Sequence, residues 1–345
     1  MKNEIVLENP IDAHVHLREG QMLAQVASFT TKVFSAAVLM GNLLKPVETA
    51  EDFKRYHHEV ALYHGDDFKP VLGIMLTLQT TPETVEDAYK VGARFIKNIP
   101  TGVSTNACGV PMHLLESADL VFKKAMELNM PVLFHCETGL FHSPDTPDPV
   151  DSTICYLQHL VKRLPGLKMV IEHVNTAPLA NWVRQAPANV KATLTCHHAL
   201  LTYADLESSW LEGPVLNAFN YCRPRPRFED DRRTVADAMT SGSNKFFFGS
   251  DSAPHYRAAK IKPNPAAGIF TAPVALPLLA EIFEKAGKLE NLGSFVSPSW
   301  APEFYGFVAP KPKMVVLKKE SWQVPEHYKG IPIFKGGETL NWKIA

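Results

Sequence analysis

The fold can be predicted from residues 70–99, which read PVLGIMLTLQTTPETVEDAYKVGARFIKNI. The segment begins with an apolar run, continues with an amphipathic run and ends with a second apolar run. Thr81 is a good N-cap, Pro82 suits the first helical position, and Gly92 is a typical helix stop. We therefore predict a strand, a helix and a second strand, which is the repeating unit of a parallel sheet.

The same alternation continues along most of the chain. Eight short apolar runs, each about the length of a buried parallel strand, are separated by longer runs that we predict to be helical. Because no glycine-rich phosphate loop follows any of them, an α/β (β/α)8 TIM barrel is favoured over a doubly wound open sheet. The eight runs are 11–17, 35–40, 70–78, 93–99, 131–137, 168–174, 190–196 and 244–251.

The chain of 345 residues is predicted to form one barrel domain over 1–345. The segment 197–233 is too long for a simple loop, and we expect it to fold over the top of the barrel. Residues 287–345 are predicted to be a C-terminal extension packed on the barrel, without a chemical role. The residues ahead of the first run are too few, by this prediction, to contribute to a flanking β-domain.

Composition narrows the class of function. The formal net charge is −1, which argues against nucleic acid or an anionic membrane surface as partner and favours a small-molecule substrate. The five cysteines are scattered without a C-x-x-C pair, and no signal peptide or membrane-spanning run is visible. The sequence therefore predicts a soluble, cytoplasmic protein.

Residues able to bind a metal occur near the ends of several predicted strands, where barrel enzymes have their active sites. Each has a structural alternative, since a histidine can be a bonded core residue, a lysine can reach solvent, and an aspartate can cap a turn. Together, imidazoles and a carboxylate at equivalent strand ends suit zinc or a similar divalent ion. The residues are His14, His16, Lys97, His135, His173 and Asp251.

Six segments, HVHLREG, MGNL, FIKNIP, LFHCE, IEHVNT and GSDSAPH, resemble in order the signature segments of the dihydroorotases, closest to the short bacterial class of the amidohydrolase superfamily. The resemblance runs from the first strand to about Pro273. It implies a metal-dependent hydrolase with two Zn²⁺ per subunit and a lysine carbamylated by CO2. The residues implied are His14, His16 and Asp251 for one ion, His135 and His173 for the other, and Lys97 as the bridge.

The resemblance also implies a substrate site. Arg18, Asn42 and His255 would bind the substrate carboxylate, and Arg18 suits this because its planar fork meets a carboxylate bidentately. Further implied contacts are backbone groups at Arg223 and Ala267, and the hydroxyls of Ser104 and Thr105 in a mobile loop. Three positions depart from the family pattern: Gly41 replaces a usual proline, Ser104–Thr105 a pair of threonines, and Arg223 an apolar residue.

The implied reaction is the reversible cyclisation of N-carbamoyl-L-aspartate to (S)-dihydroorotate and water in de novo pyrimidine (UMP) biosynthesis. By this hypothesis a metal-bridging hydroxide attacks the ring amide, and Asp251 serves as general base and then general acid. Two alternatives remain open. One is another cyclic amidohydrolase, such as a hydantoinase, dihydropyrimidinase or allantoinase, and the other is a catalytically inactive scaffold relative. A homodimer is only what the family suggests.

Overall fold

The predicted strand–helix–strand unit is present in the computed structural model, which describes residues 3–104, 106–137, 150–210 and 213–345. The strands are β1 (Glu4–Glu8), β2 (Ile11–Val15), β3 (Ala36–Leu39), β4 (Lys69–Leu72), β5 (Ile74–Met75), β6 (Ile96–Asn98), β7 (Val132–His135), β8 (Met169–Glu172), β9 (Val190–Leu194), β10 (Glu207–Trp210), β11 (Gly213–Leu216), β12 (Phe246–Phe248), β13 (Met314–Lys318), β14 (Trp322–Gln323), β15 (His327–Tyr328), β16 (Ile331–Pro332), β17 (Thr339–Leu340) and β18 (Lys343–Ile344). The helices are α1 (Gly20–Thr31), α2 (Ala50–Ala61), α3 (Pro82–Lys90), α4 (Asp119–Glu127), α5 (Val150–Arg163), α6 (Ala177–Gln185), α7 (Cys196–Leu200), α8 (Glu229–Thr240), α9 (Arg257–Lys260), α10 (Ala275–Lys285), α11 (Leu292–Val296) and α12 (Ala301–Tyr305).

Helix α3 begins and ends where the sequence predicts. Thr81 is its N-cap, and the Thr81 hydroxyl accepts a hydrogen bond from the backbone N–H of Thr84 at 3.2 Å. Pro82 occupies the first helical position, and Gly92 has a left-handed φ of 118° just beyond the last turn. Local sequence signals therefore suffice to set this helix.

Each of the eight predicted apolar runs contains at least one strand. Strands β2, β3 and β4 form a three-stranded parallel sheet, and β5, β6, β7, β8, β9 and β12 form a six-stranded parallel sheet in that order. Helices lie between most successive strands, as a parallel sheet requires. The prediction of alternating strands and helices is confirmed.

The run at 70–78 differs from the prediction because it contains two strands, β4 and β5, separated by Gly73. A Cβ atom on Gly73 would lie 2.2 Å from the carbonyl oxygen of Phe95, so this close approach requires glycine. The backbone remains paired on both sides of the break. Arg94 N donates to Leu72 O at 2.8 Å and Ile74 N donates to Phe95 O at 3.1 Å.

Hydrogen bonds also connect the two sheets at their other edges, close to the predicted metal ligands. Asp251 N donates to His14 O at 2.8 Å, and His16 N donates to Ser252 O at 3.0 Å. The connection joins the segment after β12 to the end of β2. It fixes the relative positions of His14 and Asp251 through the main chain.

Successive residues of the strands pack into two different buried clusters, as expected for strands covered on both faces. One cluster includes Ala37, Leu39 and the apolar faces of the helices, and the other includes Ala36 and Val38. Helix α12, within the C-terminal extension, supplies Ala301, Phe304 and Tyr305 to the second cluster. Nearby, Lys168 Nζ donates to Phe304 O at 3.1 Å, which places α12 at the amino ends of the strands.

The expectation that the N-terminal residues contribute nothing to a flanking sheet is wrong. Strand β1 pairs antiparallel with β13 of the C-terminal extension, and β13 pairs with β18. The pairing was not visible in the sequence because its partners are more than 300 residues apart and each strand is short. Within the described residues, no helix combines the length and apolar character needed to cross a membrane.

Candidate active site

The predicted metal ligands come together at the carboxyl ends of the parallel strands. His14 lies in β2, Lys97 in β6 and His135 in β7, while His173 directly follows β8. Asp251 is three residues beyond the end of β12. Carboxyl ends of parallel strands meet at one edge of a sheet, so residues far apart in the sequence converge there.

The first group of ligand atoms consists of His14, His16 and Asp251, all three buried or nearly so. Nε2 of His14 lies 3.3 Å from Oδ1 of Asp251, and Nε2 of His16 lies 3.1 Å from the same oxygen. The two ring nitrogens are 3.4 Å apart. Three atoms that carry lone pairs therefore face one common point.

The second group consists of His135 and His173, with Nδ1 of His135 lying 3.0 Å from Nε2 of His173. The imidazole rings of His14 and His173 have centroids 5.0 Å apart, so the two groups are adjacent. Lys97 lines the same cavity, and its side chain is 1% exposed. The burial lowers the pKa of the Lys97 amine to about 7.

Two buried glutamates that the sequence analysis did not single out contact the histidines from behind. Glu172 Oε2 contacts Nδ1 of His14 and lies 3.2 Å from Nζ of Lys97. Glu137 Oε2 lies 2.5 Å from Nε2 of His135. Glu172 directly precedes His173 and Glu137 follows His135 by two residues, and this proximity in sequence was the available signal.

These glutamates contact the ring nitrogens that point away from the neighbouring ligands. Glu172 contacts Nδ1 of His14, and Nε2 of the same ring lies next to Asp251. Glu137 accepts a hydrogen bond from Nε2 of His135, which fixes the proton there and leaves the lone pair of Nδ1 directed toward His173. A carboxylate at the outer nitrogen of a histidine is the usual support of a metal ligand, so this arrangement fits bound metal.

Protonation states agree with metal binding. Burial lowers the pKa of His14 to about 3, so its imidazole is neutral at physiological pH. Burial opposes ionisation of Asp251, but hydrogen bonds from His14 and His16 hold the pKa of its carboxyl well below the usual range. Metal ligands must be neutral imidazoles and ionised carboxylates, which is the state found here.

Two of the ligand positions have a strained backbone. His173 has a φ of 40° and Asp251 a φ of 43°, in the left-handed region that non-glycine residues rarely adopt. Such a conformation costs about 1–3 kcal/mol per residue and persists only where surrounding contacts enforce it. The His173 N–H donates to Thr193 Oγ1 at 2.7 Å, and Gly249 leaves room beside the Cβ atoms of His14 and Thr193.

The cavity also contains the positive charge of Arg18. Arg18 Nη2 lies 2.9 Å from Nε2 of His255, and that nitrogen lies 3.0 Å from the carbonyl oxygen of Ala267. Burial lowers the pKa of His255 to about 2, so its ring is neutral and the guanidinium supplies the charge. Arg18 has a φ of 63° and lies beyond the end of β2. The direction of its side chain is therefore not set by the alternation of a strand.

Both groups line one cavity. Its other lining residues include Arg18, Asn42, Ser104, Arg223 and Ala267. The predicted metal ligands and a guanidinium thus share one space. Thr105 lies outside the described residues.

Comparison with known proteins identifies the family. The amidohydrolase family matches residues 10–290. A dihydroorotase from Aromatoleum aromaticum is 36% identical over 353 residues, which cover 99% of each chain. This chain belongs to the dihydroorotase family of the amidohydrolases. Enzymes of the amidohydrolase family have a (β/α)8 barrel and generally depend on a metal.

Solved dihydroorotase structures agree with this assignment. Dihydroorotase from Saccharomyces cerevisiae, in complex with 5-fluoroorotic acid, gives a TM-score of 0.90 at 29% identity and covers 100% of this chain and 99% of its own. Dihydroorotase from Campylobacter jejuni gives 0.85 at 31% identity, covering 99% and 97%. L-hydantoinase from Arthrobacter aurescens gives 0.79 at 13% identity, covering 99% and 83%, which shows a shared fold alone.

Arg223, where the dihydroorotase pattern has an apolar residue, has its side chain in the cavity. Its Nε donates to the hydroxyl of Tyr221 at 3.1 Å, and its Nη1 lies 3.4 Å from Oε1 of Glu137. Glu137 therefore contacts both Arg223 and His135. The extra guanidinium is neutralised by a carboxylate that also orients a predicted metal ligand.

At Gly41, a second departure from the dihydroorotase pattern, the turn is closed by main-chain hydrogen bonds. Leu43 N and Val47 N both donate to Gly41 O, at 2.9 and 3.0 Å. The Cβ atom of Val47 lies 3.0 Å from where a Cβ on Gly41 would be. The packing of Val47 thus takes the space next to Gly41, and Asn42 still lines the cavity.

A second metal-capable group, His197, His198 and Cys222, was not predicted. The ring of His198 is bonded at both nitrogens, to Thr195 Oγ1 at 2.9 Å and to Pro224 O at 2.9 Å. The thiol of Cys222 also donates to Pro224 O, at 3.3 Å. The ligand atoms of His198 and Cys222 already have protein partners, whereas among the described residues neither ring nitrogen of His197 has a hydrogen-bond partner. Because two of the three residues are engaged in this way, we interpret the group as part of the core beneath residues 222–224.

Proposed function

We propose that this protein is a dihydroorotase that interconverts N-carbamoyl-L-aspartate and (S)-dihydroorotate in pyrimidine biosynthesis. The observation that carries the proposal is the cavity that Arg18 and the predicted metal ligands line together, supported by relatives that are dihydroorotases along their whole length. The substrate has a carboxylate and a cyclic amide. Arg18 is suited to bind the carboxylate, and the predicted metal ligands are suited to hold ions that act on the cyclic amide.

We propose two zinc ions at the metal-capable end. The residues that would hold them are His14, His16 and Asp251 for one, His135 and His173 for the other, and Lys97 as a bridge. The support is the pair of carboxylates, Glu172 and Glu137, that contact the outer nitrogens of His14 and His135, together with the chemistry of the donors. Zinc ions bound there supply Lewis acidity toward the amide carbonyl and a water of lowered pKa.

Lys97 is proposed to react with CO2 to form a carbamate. The reaction needs the neutral amine, which attacks the carbon of CO2 and releases one proton. Because burial lowers the pKa of Lys97 to about 7, much of the amine is neutral under physiological conditions. The product is an anion that retains one N–H, which Glu172 can accept, since its Oε2 lies 3.2 Å from Nζ.

The remaining steps are assigned to side chains of the cavity. Arg18 would bind the substrate carboxylate, with Asn42 and His255 beside it, and so direct the ring amide toward Asp251. In ring opening, the Asp251 carboxylate would accept the proton of the attacking water and return it to the departing ring nitrogen. Ring closure follows the same path in reverse. The paired backbone segments around the cavity would belong to one closed (β/α)8 barrel.

The proposal is tested by a ring-closure assay with N-carbamoyl-L-aspartate and a metal analysis on the same sample. We expect turnover and close to two zinc ions per chain. The control substrate is an uncharged hydantoin. Faster turnover of the hydantoin would identify a different cyclic amidohydrolase, and the absence of both turnover and bound metal would identify an inactive relative.

A further inference from the structure

Two neighbouring backbone segments line the cavity, and the second lies next to Arg18 through His255. The first is residues 221–223, which contributes Arg223, and the second is residues 266–268, which contributes Ala267 and Gly268. A main-chain hydrogen bond from Gly268 N to Tyr221 O, at 3.0 Å, joins them. Outside the strands, loops need specific contacts of this kind to remain in place.

Lys260, the last residue of α9, supplies the other connections between these segments. Its ammonium donates to the carbonyl oxygens of Tyr221 at 3.0 Å, Ala266 at 2.9 Å and Gly268 at 2.6 Å. A lysine ammonium has three N–H donors, so all three are used on backbone carbonyls of the two segments. The residue is 3% exposed, which excludes a role as a surface charge.

The charge of Lys260 is unusual because, within the described residues, no carboxylate lies within ion-pair distance of it. Burial of an unpaired ammonium is costly, and it lowers the pKa of Lys260 to about 8. An apolar side chain of similar length would avoid that cost. It would, however, leave three buried carbonyls without this donor.

Residues 266–268 are connected to Arg18 through His255. Ala267 O and Arg18 Nη2 lie 3.0 and 2.9 Å from the same nitrogen of His255. One nitrogen of a neutral imidazole cannot donate to the carbonyl and accept from the guanidinium at once. When a substrate carboxylate binds the Arg18 guanidinium, Arg18 would no longer donate to Nε2 of His255. That nitrogen would then donate to the carbonyl oxygen of Ala267, and this requires Ala267 to be held in place.

We propose that Lys260 is a positioning residue for the substrate carboxylate: it ties residues 221–223 to residues 266–268, and this sets the places of His255 and Arg18. The inference rests on the proposed dihydroorotase function. It predicts an effect on binding of the acidic substrate, because Lys260 contacts neither the predicted metal ligands nor the cavity itself.

The test compares Lys260→Met with the matched control Lys245→Met in the full-length, zinc-loaded protein. Lys245 Nζ also donates to three backbone carbonyls, those of Ala186, Pro187 and Val190, at 2.7, 2.5 and 3.0 Å. It directly precedes β12, at the amino end of the sheet and away from the cavity. Removing either lysine therefore deletes the same kind of contact. Only Lys260 is bonded to the segments 221–223 and 266–268 that line the cavity.

Three quantities are measured for each variant: KM and kcat with dihydroorotate, the Kd of 5-fluoroorotic acid, and the zinc content. For Lys260→Met we expect KM and Kd to rise about tenfold, with kcat changed less than threefold and zinc content unchanged. For Lys245→Met we expect KM and Kd to stay at the wild-type values. Lys260→Gln, whose amide keeps two donors, should recover part of the loss and is the variant compared if Lys260→Met does not fold.

Three outcomes would overturn the inference: an unchanged KM in both Lys260 variants, an equal rise in Lys245→Met, or a loss confined to kcat. The parallel assay of the wild-type protein separates this inference from the proposed function. If wild type neither turns over dihydroorotate nor binds 5-fluoroorotic acid, the proposed function fails. If wild type does both and Lys260→Met equals it, only the role of Lys260 is rejected.

Discussion

Nζ of Lys97 lies 3.2 Å from Oε2 of Glu172, and both side chains are almost completely excluded from solvent. The same carboxylate oxygen contacts His14. One glutamate thus orients two residues that we propose as metal ligands, and it does so from strand β8, between the strands that carry His135 and Thr193. The ligand set is held by neighbours that do not themselves face the cavity.

Replacing Lys97 by alanine should abolish both metal loading and turnover. The variant lacks the amine that would form the carbamate, and without that anion two divalent ions would lie close together with too little negative charge between them. Zinc content and ring closure are measured on the same sample. A variant that keeps two zinc ions and the full rate would show that Lys97 does not bridge the metals.

Glu137→Gln should weaken metal binding by about 10- to 100-fold, the usual effect of losing a carboxylate behind a histidine ligand. The amide no longer fixes the proton of His135 at Nε2, so the ring is free to present the wrong nitrogen. Metal affinity is measured by competition with a chelator. The control is Arg223→Met, which removes the other partner of Glu137 and leaves the contact with His135; equal losses in both variants would contradict this role.

Arg18→Gln should raise KM for dihydroorotate by about 10- to 100-fold, because hydrogen bonds between charged groups are worth about 1.5–3 kcal/mol. Turnover of an uncharged cyclic amide, where detectable, should change much less. The measurement is the ratio of kcat/KM for the two substrates in wild type and variant. If the ratio does not change, the carboxylate is bound elsewhere.

The stability of the protein should depend on Lys260 in a pH-specific way. Its folded-state pKa is about 8 and its ordinary value is 10.5, so between these pH values the unfolded chain binds more protons than the folded one. The free energy of unfolding contributed by this group therefore rises with pH over that range, by up to about 1.4 kcal/mol per pH unit. Denaturant unfolding at pH 8 and pH 10 checks this, and in Lys260→Met the rise should be correspondingly smaller.

Much of the fold could be predicted because its signals are local. Thr81, Pro82 and Gly92 specify the start and end of α3 within a dozen residues. The apolar runs identify the strands, since a strand buried on both faces must be apolar along its length. The break at Gly73 was not predicted because it depends on the carbonyl of Phe95 in the next strand.

Part of the site could also be predicted, but not from local signals of secondary structure. Histidine, lysine and aspartate at strand ends are conspicuous because buried polar groups are costly, so the side chains His14, His135 and Asp251 could be selected from sequence and resemblance. Glu137 and Glu172 were not selected, because the sequence does not show in which direction a carboxylate near a histidine points. Which nitrogen it bonds depends on side-chain geometry that spacing does not encode.

The sequence by itself determined the alternation of the parallel strands with helices, the residue types available for metal binding, and the family. Only the tertiary structure decided that β1 pairs with β13, that Glu172 serves both His14 and Lys97, and that Lys260 joins two loops at the substrate end. The physical reason is the range of the interactions. Turns, caps and burial patterns act within a few residues, whereas hydrogen bonds to a buried carboxylate or ammonium form only after distant segments have packed together.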